Sequence, residues 1–182
     1  FTELEKAGIS LKSKAVLDGR NAEDAEKLMK NAGLVIFAGG HIPTQNAFFR
    51  LVDMKRLIHG YDGVLIGISA GTMNSARIVY SHPEREGEAA SKDFVRFFDG
   101  LGLTEIEVIP HYQLIKGTTL DGMRLFEDVA YPDSFTHELH VFPDGTYIYI
   151  DGDHQEIRGE AYLIRDGVFE KISDDGETVR IK

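Results

Sequence analysis

The pentapeptide Gly67-Ile-Ser-Ala-Gly71 has the G-x-S-x-G pattern of a nucleophile elbow. In such an elbow, a sharp turn from a strand into a helix exposes the serine hydroxyl beside free backbone N–H groups. Glycines two positions before and after the serine let the strand and the helix approach each other closely. Because an apolar run precedes the motif and small residues follow it, Ser69 is the candidate nucleophile. The alternative is an ordinary strand-to-helix turn in which Ser69 only caps the helix.

A serine nucleophile needs a base, and histidine is the side chain best suited to proton transfer near neutral pH. The sequence has 7 histidines, which are His41, His59, His82, His111, His137, His140 and His154. In an open parallel sheet, active sites lie at the carboxyl ends of the strands. His111 and His41 both directly follow predicted strands, so His111 is the first candidate for the base and His41 the second.

The acid that orients the histidine is harder to identify. Glu84, Glu86 and Glu88 lie in the loop after the elbow helix, where a run of charges is usually solvated surface.

Two possible metal sites can be set aside. His137–His140 has histidines at i, i+3 on a predicted strand, whereas zinc-protease helices have them at i, i+4. Asp151–His154 lacks the glycine and the distal glutamate of a calcium loop. We therefore expect no metal site.

The elements that position these residues alternate between apolar strands and helices over the first two-thirds of the chain. The strands are Leu34–Phe37, Val64–Ile66 and Ile106–Ile109. Apolar strands separated by helices predict a parallel sheet covered on both faces. Leu120–Val129 is predicted to be helical, and from His137 the pattern changes to hairpins with Asp-Gly turns. We predict one α/β domain over residues 1–182, a three-layer sandwich with a mostly parallel sheet and C-terminal β-hairpins.

The composition excludes several other classes of protein. The 182 residues are 42% hydrophobic and 27% charged, a balance typical of a globular domain. The net charge of −10 argues against a nucleic-acid partner, because binding phosphate requires clustered Lys and Arg. No apolar run is long enough to span a membrane. The lack of cysteine excludes a cysteine nucleophile and fits the reducing cytoplasm, where we expect the protein.

Three motifs in order, Phe37-Ala-Gly-Gly40, Gly67-Ile-Ser-Ala-Gly71 and Ile109-Pro-His-Tyr112, resemble the peptidase E family of serine peptidases. That family includes α-aspartyl dipeptidase and, more distantly, cyanophycinase. The resemblance extends from about Gly8 to the C-terminal hairpins. It implies a fold similar to the class I glutamine amidotransferases, and we expect the family's first strand and helix to be missing before Phe1.

The resemblance also implies roles for individual residues. It makes Ser69 the nucleophile and His111 the base, and it gives the oxyanion hole to the backbone N–H groups of Gly40 and Ala70. The position of the family's catalytic acid falls on Glu84. The family member known best has aspartate there, so Glu86 in the same loop stays an alternative.

Aspartyl dipeptidases of the family hold the substrate's N-terminal aspartate with an arginine shortly after the histidine. By spacing, that position falls on Leu120. Leucine cannot replace a bidentate arginine–carboxylate contact, and Arg124, one turn further on, is the possible substitute. The departure predicts that dipeptides beginning with aspartate are not the preferred substrates.

The prediction is thus a cytoplasmic serine peptidase of the peptidase E type that acts on short peptides without a cofactor. We expect a monomer or a homodimer with no nucleic-acid or membrane partner. Two alternatives remain. One is an esterase of the α/β-hydrolase type, which shares the G-x-S-x-G pattern but places its histidine near the C-terminus. The other is an amidotransferase-like domain that binds a ligand without turnover.

Overall fold

The computed structural model describes residues 1–181. Its α-helices are α1 (Thr2–Lys6), α2 (Ala25–Asn31), α3 (Ile42–Leu51), α4 (Met54–His59), α5 (Ala70–Ser75), α6 (Tyr112–Ile115) and α7 (Tyr131–Asp133). Its strands are β1 (Leu34–Phe37), β2 (Val64–Gly67), β3 (Ile78–Tyr80), β4 (Phe97–Asp99), β5 (Glu107–Ile109), β6 (Thr119–Leu120), β7 (Met123–Arg124), β8 (Leu139–Val141), β9 (Tyr147–Asp151), β10 (His154–Arg158), β11 (Ala161–Arg165), β12 (Val168–Ser173) and β13 (Thr178–Ile181). A 3-10 turn (Ala22–Asp24) precedes α2, and a π-helical segment (Leu125–Ala130) precedes α7.

Strands β1 and β2 form a parallel pair that carries two glycine-containing turns. The register pairs Leu34 with Val64 and Phe37 with Gly67, so the two strands end at the same level. Helix α3 begins soon after β1, and α5 begins soon after β2. The parallel alignment therefore brings the turn that precedes α3 next to the turn that precedes α5.

Strands β5 and β8 form the second parallel pair that matters for the site. They lie at one edge of a four-stranded sheet with the order β12-β11-β8-β5, in which the other pairings are antiparallel. The register pairs Glu107 with Leu139 and Ile109 with Val141. Residues that directly follow β5 and β8 therefore lie side by side at one end of this sheet.

The structure is mixed α/β, but the predicted mostly parallel sheet is not confirmed. The described strands form five small sheets, in which only the β1–β2 and β5–β8 ladders are parallel. Three Asp-Gly turns explain part of this result, because they fold the chain back into the antiparallel pairs β6–β7, β9–β10 and β11–β12. The Asp144-Gly145 turn instead connects β8 to β9, which lie in different sheets. The predicted helix over Leu120–Val129 is also wrong at its start. Asp121 and Gly122 both have positive φ (53° and 78°) and form the turn between β6 and β7.

Two apolar clusters hold these elements in place. One contains Phe37, Phe49 and Met54 and packs α2, α3 and α4 against β1. The other contains Ile109, Phe126 and side chains of β8 and β11. Burial of each large apolar side chain stabilises the fold by roughly 1.5–3 kcal/mol. Among residues 1–181, no helix is both long enough and apolar enough to cross a membrane.

Candidate active site

Ser69 occupies a strained turn between β2 and α5. Its backbone has φ 53° and ψ −115°, a conformation that costs a non-glycine residue roughly 1–3 kcal/mol. The two glycines of the motif permit the close approach of strand and helix. A Cβ atom on Gly71 would lie 2.0 Å from the carbonyl oxygen of Phe37, and one on Gly67 would lie 2.8 Å from the backbone nitrogen of Thr72. This geometry is that of a nucleophile elbow.

His111 contacts the Ser69 hydroxyl. Its Nε2 lies 2.9 Å from Oγ of Ser69, within hydrogen-bond distance. His111 follows β5 and Pro110, and its left-handed backbone (φ 59°) turns the chain into α6. The ring is partly exposed, so a substrate can reach the pair from solvent.

Asp144 contacts the other ring nitrogen of His111. Its Oδ1 lies 2.6 Å from Nδ1 of His111. Because a carboxylate only accepts hydrogen bonds, this contact assigns the proton to Nδ1 and leaves Nε2 free to accept the Ser69 hydroxyl proton. The arrangement is therefore a hydrogen-bonded chain from serine to histidine to aspartate.

Backbone and side-chain hydrogen bonds hold Asp144 beside His111. The N–H of Tyr112 donates to the carbonyl of Phe142 at 3.0 Å, and the N–H of Asp144 donates to Oε1 of Gln113 at 3.1 Å. These contacts join the turn that follows β8 to the segment that follows β5. Parallel pairing of the two strands brings both segments to the same end of the sheet.

The three glutamates considered as the orienting acid do not occupy that position. Oε2 of Glu84 accepts a hydrogen bond from the N–H of Ile42 at 3.4 Å, and the surrounding protein raises the pKa of its carboxyl by desolvation. Glu88 bonds to His41, and Glu86 is exposed. The geometry therefore favours Asp144 rather than the expected Glu84 as the acid beside His111. The Glu88 contact holds this loop at the α3 turn, and Asp144 takes the place beside His111.

His41, the second candidate for the base, has both ring nitrogens engaged away from Ser69. Nδ1 lies 2.8 Å from Oγ1 of Thr44, and Nε2 lies 2.9 Å from Oε1 of Glu88. Since neither nitrogen is free to accept the Ser69 proton, the geometry favours His111 as the base.

Gly40 and Ala70, the expected oxyanion-hole residues, lie in the two adjacent turns. A Cβ atom on Gly39 would lie 3.3 Å from Cβ of Ser69, so the turn before α3 packs directly on the serine. Among the described residues, the N–H groups of Gly40 and Ala70 have no hydrogen-bond acceptor. Free N–H groups in the two turns that adjoin the serine are the type of donor that an oxyanion requires.

The fully buried Asn74 links the helices that follow these two turns. Its Nδ2 donates to the carbonyl of Ala70 in its own helix at 3.1 Å and to the carbonyl of Ile42 in α3 at 3.3 Å. Its Oδ1 accepts from Nδ2 of Asn46, also in α3, at 2.9 Å. This buried network holds α3 and α5 in a fixed relative position.

Leu120 and Arg124, the expected specificity positions, lie on the short β6–β7 hairpin. Leu120 is partly buried and offers no charge. Nε and Nη2 of Arg124 bond to the Asp128 carboxylate at 3.0 and 2.7 Å. Because Asp128 already occupies its guanidinium, Arg124 is poorly placed to hold a second carboxylate.

His82 is a residue near the site to which the sequence analysis gave no role. Its side chain is 7% exposed, and its Nδ1 has no hydrogen-bond partner among the described residues. Burial lowers the pKa of His82 to about 4, with a smaller contribution from the charge of His111. The sequence signal was its place two residues after an apolar strand, but that position resembles an ordinary loop.

Within residues 1–181, no three His, Asp or Glu side chains are grouped as metal ligands would be.

Comparisons with known proteins show which family and which fold this chain resembles. The model of peptidase family S51 matches residues 14–158. No curated protein has a matching sequence. A crystal structure of a candidate peptidase E protein from Listeria monocytogenes EGD-e is similar in fold, with a TM-score of 0.54 and 14% sequence identity. The alignment covers 100% of this chain and 75% of the Listeria chain. At that identity the likeness concerns the fold alone.

Proposed function

This chain belongs to peptidase family S51, and from that premise we propose that it hydrolyses short peptides through a Ser69–His111–Asp144 triad. Membership of the family makes the protein a serine-type peptidase. The observation that carries the proposed triad is the chain of two contacts through one imidazole. Oγ of Ser69 lies 2.9 Å from Nε2 of His111, and Oδ1 of Asp144 lies 2.6 Å from Nδ1 of the same ring.

The proposed first half-reaction forms an acyl-enzyme. Nε2 of His111 takes the hydroxyl proton as Oγ of Ser69 attacks the carbonyl carbon of the scissile peptide bond. Asp144 holds the ring in the required tautomer and stabilises the imidazolium. The imidazolium then donates its proton to the leaving amine, the C–N bond breaks, and the acyl group remains on Oγ.

The second half-reaction releases the acyl group. His111 removes a proton from a water molecule, the resulting hydroxide attacks the ester carbonyl, and the protonated ring returns a proton to Oγ of Ser69. In both steps the carbonyl oxygen becomes an oxyanion. The free N–H groups of Gly40 and Ala70 lie in turns that adjoin Ser69, which supports their role as its donors.

The environment of the expected specificity residues supports short peptides without an acidic first residue as substrates. Leu120 stands where aspartyl dipeptidases of the family are expected to have their arginine, and Arg124 is paired with Asp128. The net charge of −10 adds a weak long-range repulsion of acidic peptides, which salt largely screens. Location in the cytoplasm and a monomeric or homodimeric state remain predictions from the sequence.

Labelling with a fluorophosphonate probe tests the proposal. The probe phosphonylates an activated serine, and mass spectrometry locates the adduct. We expect an adduct on Ser69 in the wild-type protein and none in Ser69→Ala. Ser75→Ala is the matched control, because the Ser75 hydroxyl bonds to the carbonyl of Gly71 within α5 and should not affect labelling. An adduct elsewhere, or none in folded wild-type protein, contradicts the proposed nucleophile.

A further inference from the structure

His41 lies one residue after Gly40 and is held at both ring nitrogens. Nδ1 accepts from Oγ1 of Thr44 at 2.8 Å, and Nε2 donates to Oε1 of Glu88 at 2.9 Å. The side chains of His41 and Glu88 are 13% and 17% exposed, so water competes little for their contact. The mechanism proposed above does not use either side chain.

Glu88 is itself anchored by the backbone of its loop. Its second oxygen, Oε2, accepts the N–H groups of Glu84 and Arg85 at 2.8 and 2.9 Å. On the far side of the loop, the carboxylate of Asp121 accepts the N–H groups of Gly87 and Ala89 at 2.8 and 2.9 Å. The loop that carries Glu88 is therefore tied both to the α3 turn and to the β6–β7 hairpin.

The turn before α3 needs such an external anchor. Gly39 and Gly40 are consecutive glycines, and glycine is the residue with the greatest backbone freedom. Gly40 has φ 154°, and no atom lies within 4 Å of the position that its Cβ would take. No side-chain packing at Gly40 therefore fixes the direction of its N–H. The nearest anchored side chains are His41 on one side and Gln45, which donates to the carbonyl of Ala38 at 2.5 Å, on the other.

We propose that His41 and Glu88 are positioning residues, whose contact fixes the direction of the Gly40 N–H toward the substrate carbonyl. The inference rests on the proposed function for its catalytic consequence. An oxyanion-hole donor stabilises the transition state only if it is oriented before the reaction begins. Without the contact, the two glycines sample several conformations, and the N–H spends less time in the productive direction.

The kinetic test compares His41→Ala, Glu88→Ala and the double variant with wild type on a cleaved short peptide. Loss of an aligned oxyanion donor should lower kcat about 10–100-fold and leave KM within about threefold, because the donor acts mainly in the transition state. The double variant should lose no more than the worse single variant, since both break the same contact. Glu88→Gln retains an acceptor for the two backbone N–H groups and should recover most of the activity. Glu86→Gln, exposed on the same loop, is the matched control.

A spectroscopic test does not depend on activity. The amide resonance of Gly40 in ¹⁵N-labelled protein should be single and sharp in wild type and shifted or broadened in His41→Ala and Glu88→Ala. A kcat within twofold of wild type in both alanine variants, or an unchanged Gly40 amide, overturns the inference. If an alanine variant does not fold, the same two readouts are taken on His41→Gln and on Glu88→Met, which keeps the size of the side chain and removes its acceptor oxygens. Inactive wild-type protein that shows no adduct on Ser69 contradicts the proposed function instead, and the Gly40 amide still decides the positioning role.

Discussion

Nδ1 of His111 and Oδ1 of Asp144 lie 2.6 Å apart although 33 residues separate them in the chain. The contact exists because β5 and β8 are parallel neighbours, so the residues that follow them meet at one end of the sheet. It defines the acid of the proposed triad and leads to the first prediction.

Asp144→Asn should lower kcat by about 10²–10⁴-fold, because the amide neither stabilises the imidazolium nor enforces the required tautomer. Glu84→Gln should change kcat by less than about threefold, since Glu84 contacts Ile42 rather than His111. Steady-state kinetics on the same peptide, with melting temperatures to confirm folding, make the comparison. A larger loss of kcat in Glu84→Gln than in Asp144→Asn would show that Glu84, and not Asp144, is the acid of the triad.

Substrate specificity should change at Leu120. Leu120→Arg should shift the ratio of kcat/KM for Asp-Leu over Ala-Leu about tenfold toward Asp-Leu, because it adds a cation for the substrate carboxylate. Arg124→Ala is the control and should leave the wild-type ratio unchanged, since Asp128 occupies that guanidinium. A wild-type preference for Asp-Leu that disappears in Arg124→Ala would show that Arg124 holds the substrate.

The buried His82 should make stability depend on pH. Burial holds its folded-state pKa at about 4, below the 6.5 of an unperturbed histidine, so at intermediate pH the unfolded chain binds a proton that the folded chain does not. The contribution of neutral His82 to the free energy of unfolding is fully present above pH 6.5. As the pH falls toward the folded-state pKa, the protein loses up to about 3 kcal/mol of this contribution.

Urea unfolding of wild type and His82→Gln at pH 7 and at about pH 4.5 measures this effect. The free energy of unfolding should fall more steeply on acidification in wild type, by about 2–3 kcal/mol relative to the variant. Carboxylates contribute equally to both proteins and cancel in the difference. An equal acid-induced loss in the two proteins would exclude a neutral, buried His82.

The candidate serine and histidine could be predicted from the sequence, because each follows an apolar strand. Ser69 lies in a recognisable glycine-flanked turn, and His111 follows a strand that ends at Ile109. Both signals are local. The structure brings the two side chains within hydrogen-bond distance.

The position of Asp144 could not be found in the same way. It lies in a Pro-Asp-Gly turn, and that composition alone predicts a hairpin and nothing else. Its role depends on which strand β8 pairs with, and a parallel neighbour that lies about 30 residues away leaves no local pattern. The same limit explains why the predicted mostly parallel sheet was not confirmed. Apolar runs in the sequence indicate strands, but whether two strands pair in parallel depends on contacts between distant segments.

Ser69→Ala provides the most direct test of the proposed mechanism. The measurement is kcat/KM of wild type, Ser69→Ala and Ser75→Ala on the best substrate from a dipeptide library, with circular dichroism to show that all three fold. Because the substitution removes only the nucleophilic hydroxyl, kcat/KM should fall at least about 10⁴-fold in Ser69→Ala and stay near the wild-type value in Ser75→Ala. Retention of a tenth of the activity by folded Ser69→Ala would contradict a peptidase that works through this serine.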